Sequence, residues 1–147
     1  MSEHRATVEW QRTGEFLTDK YSRCHVLRFE DITVPGTAAP GNIPSPALGG
    51  PGVDPEQAFV GALSACHMLW FLYLASQKKW LVERYLDEAV GILDKTWMSR
   101  VTLRPTVFFS GRKPTEEEHA ALHHRAHEKC FIANSVKTEV IVEPCLK

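Results

Sequence analysis

The side chains here that could do covalent chemistry are the thiols of Cys24, Cys66, Cys130 and Cys145, and their neighbours decide what each can do. Cys66 stands in the middle of an uncharged run, Ala58 to Ser76, and is followed by His67. Free cysteine is among the most buried residue types, and its default in such a run is inert packing as a small hydrophobe. To act as a nucleophile it must be held as a thiolate. Burial alone opposes this by raising the pKa, so a cation has to be brought to it. Glu56 lies in the DPEQ that opens the run, and on a straight helix it is about 15 Å from Cys66 along the axis, too far to help the thiol of its own chain. Cys66 itself falls about 18 Å from the helix start, beyond the reach of the helix dipole. His67 points about 100° away around the helix and reads as a hydrogen-bonded core histidine.

Cys130 closes a second candidate cluster. His119, His123 and His127 recur at i, i+4 and i+8, with Cys130 three residues on. Two histidines four apart on a helix are a real zinc geometry. Three in a row diverge by roughly 6 Å per turn and cannot meet one ion, so at most His123 and His127 with Cys130 could share one. With no HExxH signature, the favoured reading is an exposed polar helix face, with no metal and no cofactor. Cys24 and Cys145 carry no assigned role, and no CxxC pair marks a zinc ribbon or a thioredoxin-type site.

The elements that must position these residues follow from pattern. Asp54, Pro55 and Gln57 form a helix-start signature, and the helix from Asp54 to Lys78 is apolar on every side, so nearly all of its surface must be covered. An antiparallel second copy of the helix covers that surface and brings Glu56 of one chain towards Cys66 of the other, which argues for a homodimer. Upstream, Ala6–Trp10, Cys24–Phe29 and Ile32–Val34 read as strands, the last an edge strand ended by Pro35. The loop from Pro35 to Asp54 is rich in proline and glycine, and a loop of that length in a small domain is commonly functional. Downstream, Tyr85–Leu93 and Met98–Phe109 form a hairpin around Asp94-Lys95, Thr115 and Glu118 cap a helix over Glu116–Lys129, and Val136–Val142 is a final strand. The fold class is α+β, with antiparallel sheets around a long buried central helix, and 1–147 is a single domain.

The 147 residues suffice for one sizeable core. With 17 basic and 18 acidic side chains, the net charge of −1 argues against nucleic-acid binding. The 19 uncharged residues of Ala58–Ser76 approach a membrane span in length. Ser64, Cys66 and His67 within them, and a mean hydropathy of −0.22, favour a core helix instead. The N-terminus has no apolar targeting segment, so the expected location is cytoplasmic, with reduced thiols.

DPEQAFVGALSAC resembles the signature N-P-E-[EQ]-L-[FI]-x-A-x-x-A-A-C of the osmotically inducible protein C and organic hydroperoxide resistance (OsmC/Ohr) family. CFIANSVKTEVIVE resembles that family's run C-P-x-S-x-x-x-K-x-E around its second cysteine, and the element order matches over nearly the whole chain. The CHMLWFL continuation is similar to a divergent OsmC-like branch. The resemblance implies an intertwined homodimer and a thiol peroxidase acting on organic hydroperoxides. Cys66 would become a sulfenic acid, Cys130 would resolve it as a disulfide, and a dithiol reductant, lipoyl-type or thioredoxin-like, would reopen it. It also implies an arginine beside the thiol, held by Glu56. Between Phe29 and Glu83 there is no arginine, so the candidate is Arg23, with Arg28 and Arg12 behind it. Phe131 replaces the proline that usually follows the second cysteine. The alternative is a non-catalytic OsmC-like protein that binds an apolar ligand or senses oxidation.

Overall fold

The computed structural model describes residues 1–41 and 49–147, so part of the proline-rich loop, residues 42–48, lies outside the described residues. The elements in chain order are β1 (Thr7–Glu9), β2 (Gly14–Glu15), β3 (Lys20–Tyr21), β4 (His25–Phe29), β5 (Ile32–Gly36), α1 (Pro55–Gln77), β6 (Leu81–Asp87), β7 (Val90–Asp94), β8 (Trp97–Leu103), β9 (Pro105–Ser110), α2 (Glu116–Lys129), β10 (Glu139–Val142) and β11 (Cys145–Leu146). The chain is α+β. It divides into two compact units, Met1–Ala58 and Phe59–Lys147, with the boundary in the first turn of α1.

In the first unit, β4 pairs antiparallel with β1 and β5, and β2 pairs with β3. Pro35 does not end its strand as expected: β5 runs on to Gly36, with Pro35 opposite Val26. An edge strand tolerates the missing N–H. The Pro35 carbonyl accepts from the Val53 N–H at 2.8 Å, and Thr37 donates to the Val53 carbonyl at 3.2 Å, which ties the end of the loop to the sheet. Two residues beyond Val53, α1 begins. Gln57 N–H donates to Asp54 Oδ1 at 2.7 Å and Asp54 N–H donates to Gln57 Oε1 at 3.2 Å, the reciprocal cap expected from the sequence.

In the second unit, α1 buries one stripe, Leu63, His67, Phe71 and Ala75, at steps of four residues. Leu63 packs with Val101 and Leu103; Phe71 and Ala75 pack with Val107, Phe109 and the α2 residues Leu122 and Ala126. The expectation of a helix buried on all sides is therefore met on one face only. Gly61, Ala62, Ala65, Leu69 and Tyr73 remain exposed in the single chain, because two helices and these sheets can cover only one side of a 23-residue rod. By length and composition α1 is also apolar enough to cross a membrane, a test that core helices pass as well.

The predicted hairpin is present, but broken into β6–β9 and β7–β8. Asp87 faces Pro105 and Val90 faces Thr102, so a single register runs through the break. There the Asp87 carboxylate replaces a strand: Oδ1 accepts the Arg104 N–H at 2.6 Å and Oδ2 accepts the Ser64 hydroxyl of α1 at 2.5 Å. Gly91 lets β7 lie close on α1, since a Cβ there would fall 2.5 Å from Val60 Cγ2. The last strands depart from the antiparallel expectation. β10 runs parallel to β8 and the unforeseen β11 runs parallel to β9. A chain that returns through a crossover helix such as α2 re-enters in the same direction.

Candidate functional site

Cys66 lies midway along α1, half-buried, and opens onto a groove of about 500 Å³ lined by Cys66, Leu69, Trp70, Tyr73, Lys129 and Phe131. Leu69, Trp70 and Tyr73 follow Cys66 at helical spacing and form an apolar floor. Phe131 meets Trp70 edge-to-face, with ring centroids 5.4 Å apart. Cys130 caps the C-terminal end of α2, its N–H bonded to the His127 carbonyl at 3.1 Å, and its side chain is buried. Cys130 lies beside Cys66, whose side chain interacts with it, and both are free thiols. Burial pushes the Cys130 thiol up to about 11, with the neighbouring Cys66 adding to the rise, while the N–H groups of Ala133 (3.4 Å from Sγ) and Ile132 oppose it. Cys130 is thus a neutral thiol at physiological pH, and Cys66 is the sulfur that faces the groove.

Glu56 and Arg23 both belong to the first unit, which does not bring them together as an ion pair. Arg23 reaches Asp19 at 2.7 Å, stacks its guanidinium 3.8 Å from the Tyr21 ring centroid, and is 9% exposed. Glu56 is half-buried in the first turn of α1, where the dipole favours a carboxylate. Arg28 pairs with Glu9, and Arg12 donates to the Gly14 carbonyl at 3.0 Å. Cys24 and Cys145 are exposed.

The histidines correct the expectation of an exposed polar face. His119 and His123 are buried, and with His67 they form a hydrogen-bonded chain: His67 Nε2 to His123 Nδ1 at 2.9 Å, and His123 Nε2 to His119 Nε2 at 3.2 Å. Phe71 stacks on His123 with centroids 4.2 Å apart. Burial, helped by repulsion from His127, lowers His67 to about 4; burial, with repulsion from His119 and His67, lowers His123 to about 2; and burial lowers His119 too, so the rings are neutral. Both nitrogens of His123 are used, and Cys130 is turned to Cys66, so the envisaged His123–His127–Cys130 set does not form. Among the described residues no three His, Cys, Asp or Glu side chains group to hold a metal ion.

The sequence did not single out Trp70, Tyr73 or Lys129, and marked Phe131 only as a replacement for the family's proline. The i, i+4 step from Cys66 to Trp70 and the neighbours of Cys130 were the available signals.

An α+β fold with two thiols meeting below an apolar groove defines a class of candidate two-cysteine thiol proteins. Within that class, this chain belongs to the OsmC-like family, whose model, described as OsmC-like protein, matches residues 48–144. It is similar to an OsmC-like protein of unknown function from Vibrio cholerae, with 48% identity, a TM-score of 0.91, and 98% of this chain and 99% of that one covered. The fold is shared with the organic hydroperoxide resistance protein OhrB of Bacillus subtilis, at 19% identity, a TM-score of 0.61, and 97% and 98% coverage. It is likewise shared with an organic hydroperoxide resistance protein OsmC from Legionella pneumophila, at 18% identity, a TM-score of 0.61, and 100% and 99% coverage. No curated protein matches the chain.

Proposed function

We propose that this chain is a cofactor-free thiol peroxidase that reduces organic hydroperoxides. The Cys66 thiolate attacks the outer oxygen of ROOH, the O–O bond breaks, and ROH leaves a sulfenic acid on Cys66. The Cys130 sulfur then displaces water to give the Cys66–Cys130 disulfide, and a dithiol, lipoyl-type or thioredoxin-like, restores both thiols by exchange. The observation that carries this reading is a pair of neighbouring free thiols, one buried and one half-open onto the groove, which is what such a cycle needs. The apolar lining favours a bulky ROOH over hydrogen peroxide. Arg23 orients the peroxide and Glu56 holds Arg23 in the working state, which requires the Arg23–Asp19 pair to open. A second copy of the chain covers the exposed stripe Ala62, Ala65, Leu69 and Tyr73, making a homodimer. A cytoplasmic setting supplies the dithiol.

The experiment is turnover of cumene hydroperoxide with a dihydrolipoyl reductant. Wild type consumes both substrates one for one, whereas Cys66→Ser consumes neither. A second reading, a redox-sensing relative without turnover, is favoured by the engagement of Arg23 with Asp19. It predicts a single oxidation to the disulfide with no catalytic consumption of dithiol.

A further inference from the structure

We propose that Lys129 supplies the positive charge that holds Cys66 as a thiolate. This rests on Cys66 being the peroxide-attacking sulfur. Lys129 is the one charged side chain among the groove-lining residues, and it lines the same groove as Cys66. Its ammonium stands 5.3 Å from the centroid of Trp70, which lies one turn beyond Cys66 on the same face of α1. The cation–π contact parks the charge over that face without neutralising it, as a carboxylate would. A second link fixes the other end. Lys129 is the residue before Cys130, whose side chain neighbours Cys66, so the backbone that seats the resolving thiol also seats the ammonium. Lys129 is also in the last turn of α2, where the helix dipole favours a cation.

The chemistry needs such a charge, because a thiol in apolar surroundings otherwise stays protonated. Arg23, which is proposed to orient the peroxide, is bonded to Asp19 in this structure, Arg28 to Glu9 and Arg12 to the Gly14 carbonyl, so the task of holding the thiolate is assigned to none of the three. In the reaction, a sulfur lone pair forms the S–O bond, the O–O bond breaks, and the alkoxide departs with its electron pair. That alkoxide takes a proton from the Lys129 ammonium, which solvent then restores.

The test is the pH profile of iodoacetamide alkylation at Cys66, followed by peptide mass spectrometry on the full chain so that Cys24 and Cys145 are resolved separately. Lys129→Met, which keeps the stem over Trp70, is expected to move the Cys66 profile up by about one pH unit or more. Lys129→Arg is expected to keep it near wild type, and Arg23→Ala to leave it in place. A shift in both Lys129→Met and Arg23→Ala supports the role of Lys129 and adds Arg23 to it. An unshifted Lys129→Met profile in a protein with wild-type circular dichroism overturns the proposal. Alkylation does not depend on turnover, so a Cys66 activated by Lys129 in a protein that fails to reduce hydroperoxide would count against the peroxidase reading alone.

Discussion

Cys66 and Cys130 are neighbours whose side chains interact, yet only Cys66 opens onto the groove, while Cys130 is 1% exposed. The pair is therefore asymmetric. Whatever small molecule enters the groove meets Cys66, and the thiol behind it is kept neutral by burial. Replacing Cys130 with Ser is expected to leave the first oxidation intact and strand it. One equivalent of cumene hydroperoxide should give a dimedone-reactive sulfenic acid at Cys66, where wild type gives an intramolecular disulfide. Intact-mass analysis reads both outcomes.

The His67–His123–His119 chain makes the fold sensitive to acid. The folded-state values of His67 and His123 lie below the ordinary histidine value, so the folded state binds fewer protons than the unfolded one. Their contribution is fully present above about pH 6.5 and is lost as the pH falls from there towards about 4, where His67 protonates even in the fold. Urea midpoints measured from pH 7 to pH 4.5 should fall steeply. A variant carrying Leu at both His67 and His123 should show a flatter profile over the same range.

Asp87 holds the interrupted hairpin to α1. Asp87→Ala leaves the Arg104 N–H and the Ser64 hydroxyl without their acceptor, at a cost of about 1–3 kcal/mol. Asp87→Asn keeps one acceptor oxygen and is expected to cost less. Denaturant unfolding of the two variants checks the order.

The exposed stripe of α1 begins with small residues, Gly61, Ala62 and Ala65, over which a second helix can approach closely. Ala65→Arg places a charge there at little cost to an isolated chain, since an exposed helical position tolerates it within about 0.5 kcal/mol. Sedimentation is expected to show a dimer for wild type and a monomer for Ala65→Arg, with unchanged helical circular dichroism.

The parts of this fold written in local sequence were legible. Asp54 with Gln57 and Thr115 with Glu118 announced both helix starts, and both caps form reciprocal bonds. Alternation around Asp94-Lys95 gave a hairpin whose turn Lys95 closes at a φ of 56°. The features that escaped depend on partners far along the chain. His119 and His123 looked like surface residues because histidine counts as polar; Phe71 packs on both of them from α1, and His67, 56 positions before His123, bonds its ring. The parallel pairing of β10 with β8 joins Glu139 to Arg100, and no local pattern carries strand direction. The all-apolar surface of α1 pointed correctly to a need for cover, but could not say that one face would remain open in the single chain. Of the site, the two cysteines were singled out through the resemblance to the OsmC/Ohr family and Phe131 only as a departure from its proline, whereas Lys129 became visible only when the end of α2 was seen beside α1.

The central claim is that Cys66 is the sulfur that attacks the peroxide. Trp70 lines the groove with Cys66, so its fluorescence can report the event in a stopped-flow single turnover with cumene hydroperoxide. Wild type and Cys130→Ser should both show a fast phase whose rate rises linearly with peroxide, and Cys66→Ser should show none. If Cys66→Ser consumes cumene hydroperoxide as fast as wild type, the account is wrong.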